Sequence, residues 1–153
     1  MTSEHLLRAR MFDFMSAHNT VNIAYIYNDE PASCAVWFAV GDDMTLYFVS
    51  SMKSHHGIAL KPGAPIAFTI HKDEQDWRAI KGIQGKGKCS PVPDEQRDNA
   101  WQTYSKRFPF VIKPFADIAQ ALSVVSLWQV RPSWLRMIDN GKGFGYKEEL
   151  RLA

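Results

Sequence analysis

Residues 31–70 read PASCAVWFAVGDDMTLYFVSSMKSHHGIALKPGAPIAFTI. Residues 32–40 are apolar on both faces of an extended chain, and the GDD that follows turns it. Met44, Leu46 and Phe48 then alternate with other residues, the period-two pattern of a strand. At 50–56, SSMKSHH sets three serines and a lysine before two adjacent histidines. Pro62 stops any helix begun there, because it lacks an N–H and clashes with the preceding turn. Residues 66–71, IAFTIH, read as a strand again. The order is therefore strand, turn, strand, polar junction, short helix, strand.

The flanks extend this pattern. Residues 20–27, TVNIAYIY, place Val21, Ile23, Tyr25 and Tyr27 on one face, and NDEP after them is a strong turn signal. Residues 3–19 read as an opening helix capped by Ser3, with Glu4 in its first turn and Asn19 as its stop. Leu7, Met11 and Phe14 give that helix its apolar face. Downstream, WRAIKGIQGKGK at 77–88 reads as a fifth strand. Its Gly82, Gly85 and Gly87 point to bulges, barrel corners or a close approach to a ligand. Residues 93–108 read as a helix and 114–125 as a shorter one. Residues 127–139 close as a strand pair or as one strand bent at Pro132, and the tail opens on the glycine-rich NGKGFG. Short strands joined by turns, with few helices, predict a mainly β single domain over 1–153, a small antiparallel barrel or sandwich.

Composition narrows the function. At 46% hydrophobic and 22% charged, the 153 residues have the balance of a soluble globular protein. The net charge of +2 comes from scattered lysines and arginines rather than a basic stripe, so no nucleic-acid partner is expected. No run approaches the ~18 apolar residues of a membrane span. The first residues, MTSEHLLRAR, lack the pattern of a signal peptide. Cys34 and Cys89 have no CxxC spacing, which fits a reduced cytoplasmic protein with free thiols.

The junction at 50–56 has two readings from its residues alone. Ser50, Ser51, Ser54 and Lys53 at a helix start can hold a phosphate through N–H groups, hydroxyls and one full charge. Equally, Ser51 or Ser54 caps a surface helix and Lys53 is solvated. A metal site is not expected: His55 and His56 are adjacent, whereas zinc helices space histidines at i and i+4. A catalytic nucleophile is not expected either, since GxSxG is absent and neither cysteine has a local signature.

The same stretch resembles the FMN-binding split barrels related to pyridoxamine 5′-phosphate oxidase. The matching pieces are residues 33–38, 46–50, Ser51-Met52-Lys53 and Pro62. SKRFPF and the closing WLRMIDNGKGFGYK resemble the YhbP-like branch of that superfamily. The resemblance implies a six-stranded antiparallel split β-barrel with a few flanking helices. It also implies a homodimer with two FMN molecules in grooves between the subunits. Carried over by position, Cys34, Ala35, Val36 and Trp37 line the flavin ring, largely through backbone atoms. Val49 and Ser50 flank the ribityl chain and phosphate, and Ser51 and Lys53 bind the phosphate. Met52 stands where the better-known oxidases carry an arginine, so Lys106 or Arg107, from either chain, is a candidate helper. The arginine–histidine pair that holds pyridoxamine phosphate has no counterpart in GFGYKEELRLA. The implied function is an FMN-dependent oxidoreductase on some other small molecule. The alternatives are a non-enzymatic flavin-binding or sensing module, and a relative that binds haem or a deazaflavin.

Overall fold

The computed structural model describes residues 1–60, 62–112 and 125–152. Helix α1, Ser3–Ser16, is capped by Thr2, whose Oγ1 accepts from the His5 N–H at 3.2 Å. The cap lies one residue before the expected Ser3, and the helix ends before the expected Asn19. Leu7, Met11 and Met15 form its buried face, a ridge spaced by four, while Phe14 is half-buried beside it.

Strands β1 (Thr20–Tyr27) and β2 (Glu30–Trp37) form a hairpin. Asn28 and Asp29 turn it with φ of 51° and 61°, the left-handed pair that a two-residue type I′ loop requires. Strands β3 (Ala39–Val40) and β4 (Leu46–Ser51) follow. Helix α2 is the single short stretch His55–Ala59. Strands β5 (Ala64–His71) and β6 (Lys81–Pro91) come next. Residues Trp77–Ala79, expected in the fifth strand, form a 3₁₀ turn instead. Asp76 caps that turn by accepting from the Arg78 N–H at 2.8 Å, which withdraws the backbone from the sheet. Helix α3, Arg97–Arg107, leads toward the end of the described central segment, and the shorter helix expected at 114–125 lies outside the described residues up to 124. Strand β7 (Val125–Asp139) begins at residue 125, and β8 (Lys147–Arg151) closes the chain.

All eight strands pair antiparallel in one sheet, ordered β2-β1-β5-β6-β7-β4-β3, with β8 on β7. This is the split barrel, with two short strands, β3 and β8, beyond the six expected. Residues 127–139 belong to one strand, not two. The register steps between Lys86–Trp134 and Gly87–Pro132, so Ser133 is the extra residue of a bulge beside the proline. Before the bulge β7 pairs with β4, and after it with β8.

The barrel interior gathers Val21, Ile23, Phe48, Phe68, Ile83 and Trp128, and α1 adds its buried face to the same core. Gly85 is the close approach its glycine suggested, but to a core ring: a Cβ there would lie 2.1 Å from the Phe68 ring. A second cluster lies between α3 and the sheet, with Tyr47, Leu127, Tyr104 and Phe108. On the other face of β2, β1 and β5, Ala35, Ala24, Ile26 and Ala67 are exposed.

Candidate functional site

The backbone of β2 fixes what its residues can offer. Among the described residues β2 pairs with β1 alone, so it is an edge strand there. Tyr27 and Glu30 close the two-residue loop and are a hydrogen-bonded pair. Alternation along an antiparallel ladder then commits Ala32, Cys34 and Val36 to β1. The Phe38 N–H bonded to Asn19 O at 2.9 Å keeps the same parity. The N–H and C=O groups of Ser33, Ala35 and Trp37 therefore point to the open edge. Side chains divide oppositely: Cys34 and Val36 pack against the core, and Ala35 and Trp37 are exposed. Of the four residues expected at the flavin ring, Ala35 and Trp37 have free backbone groups, and Cys34 and Val36 support them from within.

Strand β4 passes close to β2. It pairs with β3 only at Leu46 and Tyr47, so beyond Tyr47 its edge toward that side carries no β3 partner. This is where the barrel is split. Val49 packs in the cluster under α3, and so does Phe108, on which Trp37 stacks with ring centroids 5.3 Å apart. Phe110 meets Trp37 edge-on at 5.9 Å. Trp37 and Val49 thus border one half-exposed aromatic patch. The two phenylalanines come from SKRFPF, whose spacing in sequence carried no hint of that contact.

The serines of the junction are engaged within their own turn. Ser54 caps α2, accepting from the Gly57 N–H at 3.1 Å and donating to Ser51 O at 2.7 Å. Ser51 Oγ accepts from the Lys53 N–H at 3.1 Å. Ser50 Oγ meets His56 Nε2 at 2.5 Å, and its carbonyl accepts from Trp128 Nε1 at 3.2 Å. Lys53 and Met52 are exposed at the tip. The capped turn and the groups expected to hold a phosphate are the same object. A five-residue helix adds little macrodipole, so any hold on an anion falls to Lys53, the hydroxyls and the loop N–H groups.

The two histidines part company. His55 Nδ1 bonds the Tyr25 hydroxyl at 2.7 Å, and its ring meets Tyr27 edge-on at 4.7 Å. This seats the turn on β1, next to the core side of Cys34. Burial, and then the nearby Cys34, pushes the Tyr25 phenol up, and burial pushes the Cys34 thiol up. Burial drives Cys89 further, to about 12. Both thiols stay protonated and neither is a nucleophile at neutral pH.

Lys106 and Arg107 lie elsewhere. With Asp42, Asp43, Asn99 and Tyr47 they line a cavity of about 650 Å³ between α1, α3 and the β3–β4 turn. That is the Leu46 end of β4, and Ser51 is its other end. A six-residue strand spans about 17 Å, so within one chain neither cation reaches the junction. His71, the other histidine at a strand end, bonds the neighbouring Lys72 carbonyl at 3.1 Å and faces no other candidate group. No helix of the described residues is long and apolar enough to cross a membrane.

No family model matches the sequence. The UPF0306 protein YhbP of Escherichia coli O157:H7 (strain EC4115 / EHEC) is 30% identical over 116 residues, which cover 74% of this chain and 73% of that protein. Among solved structures, a heme binding protein from Mycobacterium smegmatis superposes with a TM-score of 0.69 at 18% identity, over 94% of this chain and 57% of the other. The FAD binding protein from Mycobacterium smegmatis superposes at 0.58 and 12% identity, over 100% of this chain and 98% of the other. At those identities the two likenesses concern the fold alone. The sequence match reaches further, and by its identity and coverage the chain belongs to the UPF0306 family of YhbP proteins, here on a split-barrel fold.

Proposed function

We propose that the chain binds FMN and serves as a flavin-dependent oxidoreductase on a small molecule. One observation carries this reading: β2, with its open backbone edge at Ala35 and Trp37, lies close to β4, the strand that ends in Ser50 and Ser51 just before Lys53. A flat polar-edged ring satisfies an unpaired strand edge through alternating N–H and C=O groups. Apolar Val49 and the Trp37 patch suit its faces. A phosphate on the same molecule suits Lys53 and the three serines. Bound flavin supplies the redox chemistry, while the chain binds, orients and shields it.

A second copy completes the groove in this reading. The exposed Ala24, Ile26, Ala35 and Ala67 form an apolar outer face beside the edge of β2, suited to pack on a symmetric copy. Lys106 and Arg107 reach a phosphate only from that second copy. A flavin-binding module without catalysis is the second reading. It is favoured by the upward shift of Tyr25 and Cys34 behind β2, which keeps both protonated and makes them poor proton donors.

The visible spectrum of protein purified after FMN addition tests the proposal. Flavin bands that stay with the protein through gel filtration are the expected result, at an elution volume of a dimer. Bleaching by NADH or NADPH then selects the enzyme over the module. A colourless protein with no FMN affinity removes both. In the same assay Lys53→Ala is expected to weaken FMN binding about tenfold, the loss of one charge-assisted contact. Unchanged affinity in that variant takes Lys53 out of the phosphate site.

A further inference from the structure

The phosphate turn is short of charge. Met52 is 47% exposed at its tip and carries none, and Lys53 is the one permanent cation between Ser50 and Leu60. Within the described turn of one chain, a phosphate dianion held by that lysine alone is only half neutralised. A second titratable base stands inside the turn. His56 Nε2 is within 2.5 Å of Ser50 Oγ, and Ser50 Oγ is within 3.4 Å of the capping Ser54 hydroxyl. Ser54 gives its own proton to Ser51 O, so Ser50 is the donor in its contact with Ser54, and the tautomer of His56 sets the direction of the Ser50–His56 bond.

We propose that His56 supplies the missing cation, taking up a solvent proton when a phosphoryl group binds and presenting its imidazolium to the phosphate in place of the charge absent at Met52. The inference rests on the phosphate reading of this turn. It assigns His56 a binding role and makes affinity depend on pH. The groups around His56 agree with a site poised for this. His55 is the neighbouring titratable group on α2, and it is engaged by Tyr25 from β1 and Tyr27 beside it. Ser50 and Ser51 face the turn from β4, Trp128 of β7 holds the Ser50 carbonyl, and Lys53 is exposed at the tip. No described carboxylate is paired with His56.

The direction follows from linkage. In the free protein burial, and then the charge on His55, holds the His56 imidazole below its ordinary value of 6.5. A bound oxyanion stabilises the protonated form and raises it. Binding therefore takes up a proton. Affinity climbs as pH falls through the raised value of the complex, and levels off below the depressed value of the free protein. The phosphate's own second ionisation, at about 6, works against this on the ligand side. Sulfate has no such ionisation in the range and isolates the protein's part.

The test is a side-chain ¹⁵N NMR titration of the whole chain, with His56 assigned through its own backbone resonances. It is run free, with FMN and with sodium sulfate. The expected result is a His56 titration raised by about one unit in the complex, equivalent to a tenfold gain in affinity from high to low pH. His56→Gln should lose that gain. Adding Met52→Arg to His56→Gln should restore tight binding at every pH, because a permanent cation replaces a titrating one. FMN bound with His56 unmoved overturns the role of His56 and leaves the flavin reading standing. No FMN binding, with His56 still raised by sulfate, removes the flavin reading and keeps the oxyanion site. If neither ligand moves His56, both fall.

Discussion

Gly57→Ala is expected to abolish FMN binding while leaving the barrel folded. A Cβ built at Gly57 lies 2.4 Å from Ser51 O, 2.9 Å from Ser54 Oγ and 3.0 Å from the Met52 carbonyl carbon. Two of those three atoms are backbone, so no rotamer change relieves the contact. The turn has to open, and opening it separates Gly57 N–H from the Ser54 cap and draws His56 away from Ser50. Every group assigned to the phosphate moves at once. An affinity loss well beyond the tenfold of Lys53→Ala is therefore expected, measured by flavin fluorescence titration. The barrel core takes only Leu60, with Ala59 packed against it, from the segment after Ser51, so far-UV circular dichroism and the cooperative melt should persist, with Tm lowered by a few degrees. Native affinity in a folded Gly57→Ala protein would falsify the placement of the phosphate in this turn.

Trp128→Ala is expected to cost the protein a large share of its stability. Trp128 is fully buried, stacked on Phe48 with ring centroids 6.1 Å apart and planes 13° apart. Its Nε1 gives Ser50 O a donor at 3.2 Å. Removing a buried tryptophan costs about 3–5 kcal/mol through lost transfer energy and the cavity left behind. Stability of a whole domain is about 5–15 kcal/mol. Urea unfolding should therefore show a midpoint lowered by more than 1 M, for a slope of about 1–3 kcal/mol per molar. Trp128→Phe separates the two contributions. It keeps most of the stack and leaves the Ser50 carbonyl without its donor, at a cost of about 1–3 kcal/mol. A midpoint for Trp128→Ala within 0.3 M of the native protein, on the scale of a ~1 kcal/mol surface change, contradicts the account.

Much of this fold can be read from local pattern. The Asn28-Asp29 pair between two alternating runs sets the ends of β1 and β2, because few residues other than glycine accept two successive left-handed conformations. Pro62 marks the end of the junction helix just as plainly. β8 is not legible in the sequence because KEELR is charged and alternates weakly, and it is a strand only because β7 offers an edge beyond its bulge. The residues of Trp77–Ala79 suit a strand, and the Asp76 cap prevails over them.

The candidate site divides in the same way. Backbone availability at Ala35 and Trp37 follows from the hairpin loop, so it was latent in the sequence. Which serine caps, and which histidine meets which strand, depends on contacts between β1, β4 and α2 that no local period encodes. The same holds for Lys106 and Arg107. They follow the junction in sequence by some fifty residues, and only the docking of α3 on the Tyr47 end of β4 shows that they serve another cavity.

The double service of β7 also has a temporal side. β4 finds little local support, since β3 offers it only Ala39 and Val40. Its full-length neighbour begins at Val125, and the bond from Trp128 to Ser50 joins residues 78 apart. A chain emerging from the ribosome therefore completes the β1–β2 hairpin early and leaves β4 waiting for its permanent partner until β7 has followed. The edge of β2 is made long before the junction after β4 is fixed in place.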